Sequence, residues 1–307
     1  MDIFLQQIVN GLVQGSIYAL VALGYTMVYG IMGLINFAHG EVVMIGTLVT
    51  ITVAGSLIKA GMPVALAGLA GLSASVLVCM ALGWGLERIA YRPLRNAPRL
   101  TPLITAIGMS IVLQNLAMMI WGRNYLTFPA LLPKINFEVA GAHFTFIQVV
   151  IVLVSAATMG GLLALIYRTK LGMAMRATAQ NPAVASLMGV NINRVIAAAF
   201  VIGSALGALA GVMVGTYYEI AHYQMGFMLG LKAFTAAVLG GIGNLAGAML
   251  GGLLLGLIEA LGAGYIGDLT GGFLGSHYQD IFAFIVLIVV LMFKPSGLFG
   301  EKTGDRA

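Results

Sequence analysis

Residues 239–252 read LGGIGNLAGAMLGG, in the middle of an apolar run that extends from 230 to 263. As one helix that run of about 34 residues would be roughly 51 Å long, against a hydrocarbon core of about 30 Å. Glycine and asparagine in this stretch provide a place for it to break. Broken backbone inside a membrane is tolerated only within protein or along a watery cavity, so the segment is expected near the centre of a bundle.

The surrounding composition makes a membrane the right solvent. Of 307 residues, 60% are hydrophobic and 8% charged, where soluble domains carry about 25% charged residues. Mean hydropathy is +1.02. Further apolar runs at 8–35, 42–58, 62–86, 101–121, 146–167, 195–217 and 278–293 are long enough, or nearly so, to span. No polar block is large enough to fold separately, so 1–307 reads as a single transmembrane domain. The expected fold is all-α: a polytopic bundle of about eight to ten membrane segments with broken or re-entrant helices. The first run has no basic flank, no small-residue cleavage site and too great a length for a signal peptide, and is expected to remain in the mature protein.

Basic residues fix the expected orientation. Arg88, Arg92, Arg95 and Arg99 follow the third run, Arg168, Lys170, Arg176 and Arg194 follow the fifth, and Lys294, Lys302 and Arg306 form the tail. All three clusters are expected in the cytoplasm, and the loops bearing Glu138, Glu219 and Asp268 outside. Counting backward from Arg88 puts the N-terminus outside. Counting forward puts the start of 230–263 outside too, so that run must leave and return on one face. The 8–35 run is also long, and Gly24, Gly30 and Gly33 are expected to relieve it by a bend.

The net charge of +5 sits in short loops without interleaved aromatics, which argues against nucleic acid as partner. Cys79 is the only cysteine, in an apolar segment, so it forms no internal disulfide and no cysteine metal cluster. No G-x-x-x-x-G-K-[ST] loop occurs, so ATP binding by this chain is not expected. Neither a metal centre nor an enzyme is indicated: His39 and Glu41, at i and i+2, would point to different faces of a helix. The 42 glycines are about twice the usual share of about 7%. Many recur every fourth residue, at Gly203, Gly207 and Gly211 and at Gly243, Gly247 and Gly251, a pattern that lets helices approach closely.

The basic loop RTKLGMAMRATAQNPAVASLMGVNINR at 168–194 contains a framed helix. Asn181 and Pro182 read as N-cap and first position, and Gly189 as the stop, leaving a helix over 182–188. Val184, Leu187 and Met188 share one face of it. So short a helix does not hold itself together in water and has to dock, either in a groove on a soluble partner or against its own bundle.

Five stretches in order, INFAHGEVVMIG, ERIAYRPLR, AIGMSIVLQN, GMAMRATAQNPAVASLMGVNINRVIAAAFVIGSALGALAGV and KAFTAAVLGGIGNLAGAMLGG, together resemble the LivH-type permeases of the branched-chain amino acid ABC importers. The resemblance implies a permease subunit for leucine, isoleucine and valine in the bacterial inner (plasma) membrane, with the C-terminus cytoplasmic. It implies a second related permease, two cytoplasmic ABC ATPases that bind ATP and Mg, and a soluble binding protein outside. Arg176, Gln180, Asn181, Pro182, Gly189 and Asn191 match the segment that docks on the ATPase in such permeases. Related permeases carry urea, short amides or other amino acids, and a stand-alone secondary transporter or channel is the rival from another class.

The NFAHGE motif, residues 36–41, is expected near the cytoplasmic end of the first two spans. Asn36, His39 and Glu41 are costly in hydrocarbon and should face protein or water. They either satisfy backbone groups at a turn, with Glu41 pairing a nearby base, or line the translocation path or its gate together with Gly243 and Asn244 of the break. Lys232 is expected to snorkel to an interface and Glu259 to bond a neighbouring helix. His143, His222 and His277 fall in external loops.

Overall fold

Apolar runs without water to bond to must satisfy their backbone internally, and this chain does so with helices almost throughout. The computed structural model describes residues 2–95, 97–98, 100–139, 141–269 and 279–300. In order these form α1 (Asp2–Met32), α2 (His39–Lys59) and α3 (Val64–Leu86), the last extended by a π-helical turn (Glu87–Tyr91) and a 3-10 turn (Arg92–Leu94). Then come α4 (Leu100–Trp121), β1 (Leu126–Thr127), β2 (Asn136–Val139), β3 (Ala142–Thr145), α5 (Phe146–Arg168), α6 (Lys170–Gln180) and α7 (Pro182–Leu187). The chain closes with α8 (Ile192–Tyr218), β4 (Ile220–Ala221), α9 (Met225–Gly240), α10 (Leu245–Leu269) and α11 (Gln279–Phe293). Among the described residues seven helices are long and apolar enough to cross a membrane, and the helices at 225–240 and 284–293 are shorter apolar ones. The result is a polytopic helical bundle. Its only described strands are short: β1 pairs with β4 and β2 with β3, both antiparallel. Arg99, His277, Lys302, Arg306 and residues 270–278 lie outside the described residues.

The run at 230–263 breaks where its length and glycines require. Helix α9 ends at Gly240, and Gly241 (φ 108°) and Gly243 (φ 98°) turn the chain in a region that side chains disfavour. Asn244 Oδ1 accepts from the Gly247 N–H (3.0 Å) and caps α10. The chain beyond α11 covers the turn: Leu298 N–H donates to the Leu239 carbonyl (2.9 Å) and Phe299 N–H to that of Gly240 (3.0 Å). Asn244 Nδ2 donates back to the Phe299 carbonyl (3.0 Å). The helix-end carbonyls of α9 thereby find partners inside the protein.

Two ends of the bundle can be told apart by their contacts. Arg95 joins the end of α3 to the start of α8 by donating to Asn193 Oδ1 (2.5 Å). A small recess there brings Arg176 of α6 beside Gly30 and Gly243. At the other end the His143 backbone N–H donates to Gln6 Oε1 (2.9 Å), and Lys134 pairs with Glu219 (2.5 Å). The start of α1 therefore lies opposite the arginine-bearing end, as the charge pattern requires.

Helix α1 is continuous through Gly24 and Gly30 to Met32 and stops at Gly33, whose φ is 64°. Two expectations need correction. Helix α9 starts at Met225 and begins well inside the bundle, because β4 and the residues after it turn inward: Ala221 packs with Met44 and Leu48 of α2. Lys232 does not snorkel. Its side chain is 14% exposed and its Nζ lies 3.2 Å from Glu259 Oε2 of α10 and 2.7 Å from Asp280 Oδ1 of α11. Glu259 does bond a neighbouring helix, accepting from the Tyr18 hydroxyl of α1 (2.7 Å). Pairing a lysine with two carboxylates inside the bundle costs less than stretching it to an interface that its helix does not reach.

Elsewhere helices meet backbone to backbone. A Cβ added at Gly15 of α1 would stand 2.8 Å from the Leu253 Cα of α10, and Gly256 meets Gly15 just as closely from the other side. Gly203, Gly207 and Gly211 of α8 lie against Gly24, His39 and Val43 respectively, while Gly247 and Gly251 of α10 lie against Gly240 and Ala236. Gly243 does not belong to that stripe, since it turns the chain. Hydroxyls bond across these close approaches: Thr47 to the Gly211 carbonyl (2.8 Å) and Ser75 to that of Gly46 (2.9 Å). Lipid gives no hydrophobic drive between helices, so dispersion and these bonds hold the bundle.

Two outcomes follow from this packing. Gly256→Leu should destabilise the protein by about 1–3 kcal/mol or more through overpacking, whereas Gly160→Leu, with no atom within 4 Å of its added Cβ, should melt in detergent like the parent. Lys232→Met strands two carboxylates and should cost about 3–5 kcal/mol, much of it recovered in the Lys232→Met/Glu259→Met double variant; thermal unfolding of the purified variants measures both.

Candidate functional site

The chain between α1 and α2 is a second interruption of helix. Gly33 ends α1 with its N–H on the Tyr29 carbonyl (2.7 Å), and the His39 N–H bonds the Asn36 carbonyl (3.0 Å) where α2 begins. Residues 34–38 run back alongside the last turns of α1, so that His39 lies against Gly24, about 12 Å before the end of that helix at 1.5 Å per residue. The same ring meets Gly207, roughly 22 Å from the start of α8 and 16 Å from its end. His39 thus sits halfway through the bundle, deeper than expected, while Asn36 stays with Tyr91 toward the arginine-bearing end. Hydropathy does not record the direction of a short polar link, and the reversal is possible only because glycines on α1, α8 and α9 leave room for it.

Each polar side chain of the motif is held differently. Asn36 Oδ1 accepts from the Tyr91 hydroxyl of the π-helical turn (2.7 Å). His39 is 2% exposed and packs edge-on to Tyr25 with ring centroids 5.0 Å apart. The Gly40 backbone touches Gly226 and Gly230 in the first turns of α9. Glu41 is wholly buried and, among the described residues, pairs with no base. Its Oε1 accepts from Ser110 Oγ (3.0 Å) and Gln114 Nε2 (2.7 Å) of α4. Its Oε2 has no hydrogen-bond partner, and a methyl group on Gly226 would stand 2.6 Å from it.

Ser110 and Gln114 also face a cavity of about 680 Å³ between α1, α4 and α9. Tyr25, Ser110, Gln114 and Gln224 give it polar groups and Phe37, Ile107, Ile111, Phe227, Met228 and Leu231 an apolar lining, and it is open on the side where Ile111 and Phe227 are exposed. A cavity with a small set of polar groups in an apolar wall is the usual form of a small-molecule site. The sequence analysis did not single out Ser110, Gln114 or Gln224. The available signal was two polar residues at i and i+4 inside an apolar span, which share a helix face.

Gly243 and Asn244 are not brought to this cavity. They form and cap the α9–α10 turn, with Gly243 across a smaller recess from Arg176. The α6–α7 segment sits on the same side. Asn181 ends α6 and caps α7, accepting from the Val184 N–H (3.1 Å), with Pro182 in the first turn. At the other end Gly189 has φ 84°; its N–H bonds the Ser186 carbonyl (3.0 Å) and the Val190 N–H that of Ala185 (3.1 Å), a Schellman stop. The helix closes at Leu187, with Met188 as its C-cap. Asn191 caps α8 by accepting from the Arg194 N–H (3.1 Å). Arg176 stands over the Tyr167 ring at 5.3 Å, and Gln180 is exposed at the end of α6. Val184, Leu187 and Met188 are 53%, 87% and 80% exposed. Helix α6 itself, capped by Thr169 Oγ1 from the Gly172 N–H (3.1 Å), was not expected.

The base of α3 is tied to this loop. Glu87 is fully buried in the π-helical turn, paired with Arg92 (2.7 Å) and with Arg95, which in turn reaches Asn193.

Comparison with known proteins gives a consistent relationship. The model of the family described as branched-chain amino acid transport system / permease component matches residues 7–291. The high-affinity branched-chain amino acid transport system permease protein BraD of Pseudomonas aeruginosa is 49% identical, over 99% of this chain and 98% of its own length. The corresponding protein LivH of Escherichia coli is 46% identical, over 99% of this chain and 97% of its own. Among solved structures, PsaBC from Streptococcus pneumoniae in complex with Fab aligns with a TM-score of 0.46 at 16% identity, covering 96% of this chain and 92% of that one. By a family match and by identities that run nearly end to end, this chain belongs to the branched-chain amino acid transport system permease components.

Proposed function

We propose that this chain is the permease subunit of an ATP-driven importer of leucine, isoleucine and valine, moving them by alternating access. The observation that carries the substrate class is the near-full-length identity to BraD and LivH. The whole chain acts as one membrane domain in the bacterial plasma membrane, with the C-terminus cytoplasmic. It works with a second related permease and with two cytoplasmic ABC ATPases that bind ATP and Mg. A soluble binding protein delivers substrate to the outer face.

Helix α7 supports the coupling role. A helix capped at both ends yet too short for independent stability, with its apolar face turned outward, suits a groove on an ATPase. Motion of α7 passes to α8 through the Asn191 cap and to α3 through Asn193, Arg95 and Glu87. The substrate path runs beside the cavity between α1, α4 and α9, where Glu41 stands behind the wall and Asn36 and His39 support the turn that places it. Gly243 and Asn244 serve as hinge and cap at the α9–α10 turn.

Tagging this chain in its native membrane, extracting it gently and identifying what copurifies tests the assembly. Two ATPases and a second permease are expected; recovery of the chain alone, active in liposomes without ATP, would make it a stand-alone transporter. In uptake assays valine and isoleucine should compete with leucine, and competition by urea or acetamide instead would overturn the substrate class. Gly189→Val puts a β-branched residue at φ 84° and should cut uptake by about tenfold or more while α1–α5 still insert, because the stop of α7 is lost. Unchanged ATP-driven uptake by that variant would count against docking through α7.

A further inference from the structure

We propose that Glu41 decides which charge the cavity accepts, by orienting Ser110 and Gln114 so that their acceptor atoms are left for the cavity and hold the α-ammonium group of the transported amino acid. This rests on the reading of the chain as an amino-acid permease and adds the residue that selects the amino group.

Ser110 and Gln114, one helical turn apart on α4, both line the cavity and both spend a donor on Glu41 Oε1. A hydroxyl has one hydrogen to give, so a serine that donates backward retains only lone pairs. An amide whose NH2 is anchored on a carboxylate turns its carbonyl oxygen the other way. Glu41 is itself 0% exposed and never meets the substrate in this conformation. It acts through the two side chains in front of it. The corner they form offers the Gln114 carbonyl and the Ser110 lone pairs, which suit an ammonium group and repel a carboxylate.

The rest of the cavity fits the rest of a branched-chain amino acid. Gln224, at the start of α9, brings an amide NH2 that suits the α-carboxylate, while Ile111, Phe227 and Leu231 give the hydrocarbon branch an apolar wall. A polar corner that accepts and an amide that donates, in a half-open groove with apolar walls, are complementary to a zwitterion with an aliphatic side chain. Uncharged amides and urea lack the ammonium that this corner selects.

The test uses the complete complex purified in detergent with the binding protein omitted, so that selection by the permease is read by itself. Equilibrium binding of radiolabelled leucine is measured in competition with 3-methylbutylamine, which keeps the amino group, and 4-methylpentanoate, which keeps only the carboxylate. The amine should compete about tenfold better than the acid. Glu41→Gln can donate to Gln114 and so frees its amide to reverse; leucine affinity should fall about tenfold and the amine should lose its advantage. Gln114→Leu removes the acceptor from the cavity side and leaves Glu41 its bond from Ser110, should give the same loss, and decides the matter if Glu41→Gln fails to assemble. Affinities of both variants within about twofold of the parent, equal competition by acid and amine, or uptake with no measurable leucine binding would overturn the role of Glu41. Absence of leucine uptake by the parent complex supplied with its binding protein would instead bring down the importer reading itself.

Discussion

An unpaired backbone N–H or C=O in hydrocarbon costs several kcal/mol, and this constraint governs where the chain can stop being helical. Among the described residues it departs from helix inside the bundle at the inward turn before α9, at the α9–α10 turn and at the link before α2, and the last two are enclosed. The α9–α10 turn gives its carbonyls to Leu298 and Phe299 and its asparagine to the cap of α10. The link before α2 is closed by Asn36, by the π-helical Tyr91 and by the glycine backbones of α1, α8 and α9. At the link before α2 the polar side chains of the motif stand beside the cavity, so there the cost of interrupting the helices and the means of recognising a polar solute lie together.

Local physics was legible in the sequence and distant pairing was not. The break near 241 announces itself because length and glycine both lie in the run that breaks. The caps of α7 are readable because Asn181 and Gly189 act on backbone three residues away or fewer. By contrast, Glu41 is settled by Ser110 and Gln114, 69 and 73 positions along the chain, and its two neighbours in sequence give no hint of them. The depth of NFAHGE depends on the direction of a five-residue link and on gaps left by glycines in three other helices. Lys232 misled for the same reason: its neutralising carboxylates lie on α10 and α11, whose relative positions no single-helix argument supplies.

The two functional regions are built from opposite materials. Around the cavity, Ser110 and Gln114 bond Glu41 Oε1, which fixes their orientation, while Glu41 Oε2 has no partner among the described residues. At α7 the apolar side chains are left uncovered and the backbone is fully capped, which fixes the shape of a helix whose partner lies outside the chain. Between them run α8 and the base of α3, where Glu87, Arg92 and Arg95 tie the end of α3 to Asn193 at the start of α8 through short, charge-assisted contacts.

The glycine contacts between α1 and α10 and along α8 have an entropic side. Joining two leucine-faced helices freezes rotamers on both, at a cost of about 0.5–1 kcal/mol for each leucine immobilised, whereas glycine and alanine have none to freeze. The backbone penalty that glycine carries in water is largely absent here, since a helix already inserted in lipid is ordered before it meets its neighbour. Association through Gly15 and Gly256, or Gly24 and Gly203, is therefore inexpensive in disorder. It also lacks interlocking side chains, so these helices can shift along one another without any rotamer having to be released first.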